Sequence, residues 1–239
     1  MTIRCCVLVA MLALPLSVLS AQDATKSAPG AYRTQFENAF VHVIRVHYGP
    51  NERVEVHEHP LVVTVYVYLN APGVVEFRHI ADGRVARRQT TIAGSFRVSR
   101  GGDEDHVVVN TTAAPSDFLR IEFKTDPARN PSPFFRESPT TYPATENATD
   151  VKFTNSQMRI TRLVVAPGKS LEQTTSAREP ALIVALKDGS LSGLRPGDAT
   201  AIAAGQERWL DASQQVRLVN TGSTPAELLR IDFLTEPRK

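Results

Sequence analysis

The sequence Leu-Arg-Ile-Glu-Phe-Lys-Thr-Asp-Pro at residues 119–127 is closely repeated as Leu-Arg-Ile-Asp-Phe-Leu-Thr-Glu-Pro at residues 229–237. The match extends upstream, without a gap, to Val-Asn-Thr at residues 109–111 and again at 219–221. A repeat period of about 110 residues is too long for the stacked unit of a solenoid. The repeat therefore indicates a duplicated domain.

Both copies contain short segments rich in β-branched and apolar residues, separated by Gly, Pro, Asn and Asp. Short strands at this spacing are typical of a β-sandwich or a β-barrel. In addition, Asp188-Gly189 predicts the tip of a hairpin. We therefore expect an all-β fold without long helices. The expected strands lie at 40–48, 61–69, 107–110 and 118–123 in the first copy, and at 159–165, 181–186, 216–220 and 227–233 in the second.

Residues 1–21 have the layout of a secretory signal peptide. Arg4 precedes an apolar run that is short for a membrane span, and small residues end the segment. We therefore expect an exported protein, periplasmic or secreted, with an uncleaved membrane anchor as the alternative. Both cysteines, Cys5 and Cys6, fall in this segment, so the mature chain would use no disulfides.

Charge excludes two classes of partner. The formal net charge is +2, and it falls to +1 without residues 1–21, with both signs interspersed. This balance provides neither a basic patch for nucleic acid nor a polybasic stretch for an anionic membrane. We expect a small-molecule substrate, no nucleic acid, no membrane after signal cleavage, and a homodimer as one option for assembly.

Three histidines have the spacing of metal ligands. His57 and His59 alternate along a predicted strand, so their side chains share one face about 7 Å apart. His106 completes a three-nitrogen site if its strand lies beside theirs. Imidazole suits iron, copper, nickel and zinc better than magnesium or calcium. The pattern predicts one divalent transition metal ion, with three unrelated histidines as the alternative.

These residues resemble the two sequence motifs of the cupin superfamily. The first motif places His-x-His between two glycines, and the second places His-x-x-x-Asn after a glycine-containing turn. The matching residues are Gly49, His57, His59 and Gly73 for the first motif, and Gly94, Gly101, Gly102, His106 and Asn110 for the second. The resemblance covers both copies and implies two tandem cupin (jelly-roll-like) β-barrels.

The resemblance also divides the chain. The second copy lacks the ligands, because Val216 stands at the position of His106 and the segment 172–176 contains no histidine. We interpret that copy as structural, or as a polar-lined pocket without a metal. The expected divisions are a signal peptide at 1–21, a polar tail at 22–31, a metal-binding cupin domain at 32–127, a proline-rich linker at 128–149, and a second cupin domain at 150–239.

Two positions depart from the cupin motifs. The metal-binding glutamate of the family would fall at Val63 or Thr64, neither of which supplies a carboxylate, so the site resembles the three-histidine subset of cupins. Arg100 replaces the proline of the second motif. Thr64 and Arg100, with His47 and Tyr66, are candidate pocket residues. The alternative for His47 is a polar residue satisfied near a strand end, and the alternative for Tyr66 is core or surface packing.

Three-histidine cupins include thiol, diketone and gentisate dioxygenases. The resemblance therefore implies a metal-dependent oxidoreductase that acts on a small organic molecule, with iron as the preferred metal and zinc, copper, manganese or nickel as alternatives. Two other functions stay open. Three imidazoles and a water around Zn²⁺ would suit a hydrolase or lyase, and the same fold could serve as a non-enzymatic periplasmic binding module.

Overall fold

The structure is a computed structural model, and it describes residues 23–101, 105–128, 134–138, 140–195, 197 and 200–238. The predicted signal peptide lies outside these ranges. The described residues form one short helix, α1 (Ala24–Ser27). No helix among them is long and apolar enough to cross a membrane. All other regular structure in these ranges is β-strand.

The strands of the first half are β1 (Tyr32–Glu37), β2 (Val41–Tyr48), β3 (Arg53–His57), β4 (Thr64–Tyr68), β5 (Val75–His79), β6 (Val85–Arg88), β7 (Phe96–Ser99), β8 (His106–Asn110), β9 (Ser116–Phe123) and β10 (Phe134–Arg136). The strands of the second half are β11 (Ala148–Thr154), β12 (Met158–Val165), β13 (Ser170–Thr174), β14 (Ala181–Ala185), β15 (Gly189–Ser192), β16 (Ala201–Ile202), β17 (Glu207–Leu210), β18 (Gln215–Asn220) and β19 (Ala226–Phe233).

The two halves have corresponding sheets. The first half contains a six-stranded sheet, β1-β2-β9-β4-β7-β10, and a separate four-stranded sheet, β3-β8-β5-β6. The second half repeats both orders as β11-β12-β19-β14-β17 and β13-β18-β15-β16. The all-β prediction is confirmed. In the described part of the chain no sheet closes on itself, so each half is an open, jelly-roll-like pair of sheets.

Apolar side chains fill three layers between the four sheets. Neighbouring side chains on a strand point to opposite faces. On β4, Val65 and Val67 therefore lie on one face of the sheet, and Tyr66 and Tyr68 lie on the other. Val65 and Val67 belong to a layer between the two large sheets, together with Ile121, Leu182, Ile231 and Phe233. The other two layers lie inside the halves, around Ile44 and Phe118 in the first and Leu163 and Leu218 in the second.

The predicted hairpin at Asp188-Gly189 is wrong. Strand β14 is already paired on both edges, with β17 and β19. The chain after β14 therefore crosses to the opposite sheet, where β15 pairs with β16 and β18. Asp188 instead accepts a hydrogen bond at 2.8 Å from the backbone N–H of Ala204. A turn-forming dipeptide thus marks a change of sheet in this position.

Two segments predicted as tail and linker pack onto the first half. Residues 23–31 include α1, and Ala24 and Ala31 of this segment are buried in the interior core of the first half. The segment between the repeats contributes β10, which extends the six-stranded sheet by pairing with β7. Both segments therefore contribute structure close to the histidine cluster or to the cavity beside it.

Candidate metal centre

Strand pairing brings the three candidate ligands together. Strand β3 ends at His57, strand β8 begins at His106, and these residues lie directly opposite each other in the antiparallel pair. His59 follows two residues after β3. The ring centroids are 4.8 to 5.4 Å apart, and the nearest potential ligand atoms of the three rings all lie within 4.8 Å of one another. The structure therefore provides three convergent imidazoles, as the spacing predicts.

The cluster is buried, and two of its rings are held neutral, the state that a metal site requires. His57, His59 and His106 are 0%, 7% and 3% exposed. Burial away from water lowers the pKa of His106 to about 3 and holds that of His59 well below its usual range, with neighbouring charges adding to both shifts. At neutral pH both rings therefore present unprotonated nitrogens.

Hydrogen bonding orients one candidate ligand nitrogen, and a second is buried without a hydrogen bond to any described residue. Nδ1 of His57 lies 2.7 Å from the backbone oxygen of Glu55 and donates to it, which leaves Nε2 as the lone-pair nitrogen. Nε2 of His106 is buried, and no described residue forms a hydrogen bond with it. A buried acceptor without a partner is costly, and a cation among the three rings would remove that cost. The donor set thus fits one transition metal ion.

The predicted departure from the glutamate-containing cupins is visible in the fold. Thr64 is buried, and its hydroxyl donates to the backbone oxygen of Val62 at 3.1 Å. Among the described residues, the ligand cluster contains histidines alone. His79, to which the sequence assigned no role, lies opposite His106 in the β5–β8 pair, and their ring centroids are 6.0 Å apart. It stands at the edge of the cluster.

Tyr32 is a second neighbour that sequence reasoning missed. Its ring centroid lies 4.7 Å from that of His57 and 5.2 Å from that of His59. Its position at the first residue of β1, immediately after the predicted tail, gave no signal of this contact. Tyr32 covers the side of the cluster that faces the large sheet.

The cluster borders a cavity of about 270 Å³ between the two sheets of the first half. Its walls are aromatic and basic, and their charged side chains are all arginines in the described part of the chain. The lining residues are Tyr32, Tyr48, His59, Tyr66, Phe77, His79, Ala86, Arg87, Arg88, Arg97, His106, Phe118, Arg120, Phe134 and Arg136. A concave space with aromatic walls and converging polar groups is typical of a small-molecule site.

The candidate pocket residues have different positions. Tyr66 lines the cavity. His47 is half exposed and forms a 2.9 Å contact with Asp117, because alternation along β2 turns it to the opposite face from Tyr48. Thr64 is held by its bond to Val62, and Arg100 is exposed. These three lie outside the cavity wall formed by the described residues.

The second half has no equivalent cluster among its described residues. Gln173 lies opposite Val216 in the β13–β18 pair, where the first half has His57 opposite His106. The amide of Gln173 accepts a hydrogen bond at 2.8 Å from Arg230. In the second half, Gln173 and its hydrogen bond to Arg230 therefore stand where the first half has the candidate ligand His57.

Solved structures share this arrangement of sheets. The chain is similar to a Cupin 2 conserved barrel domain protein from Leptotrichia buccalis, with a TM-score of 0.52 and 15% identity over 85% of this chain and 88% of that chain. The chain has the cupin fold.

Two further solved structures share the fold. The bacterial pirin YhhW from Escherichia coli, solved in complex with nickel(II), gives a TM-score of 0.58 at 12% identity over 87% of this chain and 91% of that chain. A salicylate 1,2-dioxygenase from Pseudaminobacter salicylatoxidans gives 0.50 at 11% identity over 82% of this chain and 71% of that chain. No protein-family model matches this chain, and no curated protein is significantly similar to it in sequence.

Proposed function

We propose that this cupin is a metal-dependent oxidoreductase of the dioxygenase type, which acts on a small organic molecule and uses one divalent transition metal ion, with iron preferred. The observation that carries the proposal is the convergence of three buried imidazoles at the edge of a cavity. The similar fold of a salicylate dioxygenase supports the oxygenase assignment, and that of a nickel-bound pirin supports metal binding.

Three neutral ligands would leave an iron ion with open coordination positions for substrate and O₂. The surrounding residues would prepare that site in three ways. Glu55 fixes the tautomer of His57 through its backbone oxygen. Tyr32 packs against His57 and His59 and excludes water from that side. The aromatic walls of the cavity would bind the apolar part of the substrate.

A zinc-dependent hydrolase or lyase is the second candidate. It is favoured by the all-histidine ligand set of the described residues, because three histidines and a water form the tetrahedral arrangement of catalytic zinc sites. Metal identity separates the two candidates, and a bound ligand without turnover would indicate a binding module. Residues 1–21 support the further proposal that the protein is exported.

The test is oxygen uptake by the mature protein, reconstituted anaerobically with Fe²⁺ and supplied with a panel of aromatic acids, thiols and diketones. The proposal predicts uptake that requires both iron and one class of substrate. His47→Ala is the matched control, because it removes a histidine outside the cavity wall and should preserve uptake. Uptake that persists in His57→Ala, or hydrolysis by the zinc form alone, would contradict the oxygenase assignment.

A further inference from the structure

One wall of the cavity carries three arginines in a single row across the large sheet. Arg120 on β9 lies opposite Tyr66 on β4. Tyr66 lies opposite Arg97 on β7, and Arg97 lies opposite Arg136 on β10. All four side chains line the cavity. Like charges directly opposite each other destabilise a sheet, so the Arg97–Arg136 pair calls for a compensating interaction.

Within the described part of the chain, hydrogen bonds compensate the charge of Arg120. Nε of Arg120 donates to Glu122 at 2.6 Å, and its Nη1 donates to the Tyr66 hydroxyl at 2.6 Å. Arg97 lies 3.8 Å over the ring of Tyr66, and its Nε is buried without a hydrogen bond to any described residue. The cavity lining contains five arginines and, within the described ranges, no Asp or Glu.

A further arginine faces the row from the opposite sheet. Arg88, at the end of β6, is 9% exposed. Its Nη2 donates to the hydroxyl of Ser116 at 2.5 Å, while no described residue forms a hydrogen bond with its buried Nε. Burial lowers the pKa of Arg88, and the charge of Arg97 lowers it further. A buried cation that lacks an anionic partner carries a large desolvation cost.

Aromatic rings connect these cations to the histidine cluster. The guanidinium of Arg88 lies 4.9 Å from the ring centroid of Phe118 and 6.0 Å from that of Phe77. The ring of Phe77 lies in turn 5.3 Å from that of His106. Phe77 therefore connects Arg88 to His106, and a ligand bound at Arg88 would extend over the Phe77 ring to reach the histidine cluster.

We propose that the cavity binds a small organic anion, a planar aromatic or unsaturated carboxylate. Its carboxylate would lie between Arg88 and Arg97, since guanidinium groups match carboxylates in bidentate geometry. Its apolar body would pack on Phe77 and point towards the histidine cluster. That this anion is the substrate rests on the proposed function, whereas its binding does not.

The second half does not repeat this site. Arg230, which corresponds to Arg120, donates to Asp232, Gln173 and the backbone oxygen of Thr174. At the position of Tyr66 the second half has Ile183, and at that of Arg97 it has Arg208, which donates to the backbone oxygen of Gly193. The second half therefore satisfies these cations with its own acceptors.

The test is calorimetric titration of the mature protein, with and without bound metal, using benzoate, its neutral counterpart benzamide, and inorganic phosphate. We expect benzoate to bind about tenfold or more tightly than benzamide, because only benzoate forms charge-assisted bonds. Arg88→Gln and Arg97→Gln should each weaken benzoate binding roughly 10- to 100-fold with little effect on benzamide. Arg84→Gln, on a side chain that is 68% exposed, is the control and should bind benzoate normally.

Several results would overturn the proposal: no benzoate binding, equal affinity for benzamide, equal affinity for phosphate, or an equal loss in Arg84→Gln. The comparison of probes on the wild-type protein stands even if an arginine variant fails to fold. Failure of the proposed function is recognised separately. In that case the metal-free protein still prefers benzoate, but the iron form takes up no oxygen.

Discussion

The hydroxyl oxygens of Tyr32 and Tyr48 lie 2.6 Å apart in the interior of the first half. Burial raises the pKa of both hydroxyls, so both stay protonated and one donates to the other. The bond joins the first residue of β1 to the last residue of β2 at the point where Tyr32 contacts His57. It therefore fixes the tyrosine that covers the histidine cluster.

Removing either hydroxyl should destabilise the protein. Tyr32→Phe leaves the Tyr48 hydroxyl buried without this partner, and Tyr48→Phe does the reverse, so each should lower the free energy of unfolding by about 1 to 3 kcal/mol. The double variant should cost less than the sum of the two, because both lose the same bond. Urea unfolding measures all three, and strictly additive effects would contradict the shared bond.

Two buried asparagines should contribute comparable stability in the two halves. The amide of Asn110 donates to the backbone oxygens of Gly49 and Ala114 at 2.8 Å each. Asn220 donates to Thr224 at 2.8 Å and to a β12 backbone oxygen at 2.7 Å. Asn110→Ala and Asn220→Ala should each cost about 1 to 3 kcal/mol. Thermal or urea unfolding that detects a cost in one half alone would refute this equivalence.

Glu137 and Arg162 form a buried ion pair that attaches the end of β10 to the second half. Arg162 donates to both carboxylate oxygens at 2.9 and 2.6 Å, and their side chains are 3% and 8% exposed. Glu137→Ala leaves the guanidinium with Glu227 as its remaining carboxylate partner and should destabilise the protein by roughly 1 to 3 kcal/mol. Glu55→Ala, which breaks an exposed pair with Arg53, should change unfolding by less than about 1 kcal/mol. Equal costs would contradict the assignment.

The His42–Glu122 contact should make stability depend on pH. Hydrogen bonding to Glu122 raises the pKa of His42 despite partial burial, and Glu37 adds to the shift. A histidine whose pKa is raised by folding stabilises the protein fully below its unfolded pKa of about 6.5, and this contribution disappears as pH rises through the folded pKa. Urea unfolding of the wild type and His42→Gln should therefore differ most in acid. A difference that grows with pH would contradict the contact.

The sequence was sufficient to predict the histidine cluster but not the cavity wall. The clustering of His57, His59 and His106 could be predicted because motif spacing is a local property of the chain, although β3 ends at His57 and His59 lies beyond the strand. The row formed by Arg97 and Arg136 depends on the pairing of β7 with β10, which joins segments far apart in sequence. Proline-rich composition around β10 also indicated a linker, because such composition disfavours regular strands.

Tertiary context overrode local signals elsewhere too. Asp188-Gly189 has the composition of a hairpin tip, yet both edges of β14 were occupied and the next strand joined the other sheet. Repeat matching predicted the correspondence of the two halves. It could not predict that their large sheets pack face to face, because burial on both faces of β4 and β14 is visible only in the assembled core.

The most direct test of the central claim is the metal content of the mature protein, measured by elemental mass spectrometry beside His57→Ala/His106→Ala and the control His47→Ala. The account predicts one transition metal ion per chain in the wild type and in His47→Ala, and its loss in the double variant. A wild-type protein that binds no metal even after reconstitution, or a double variant that retains it, would contradict the metal centre.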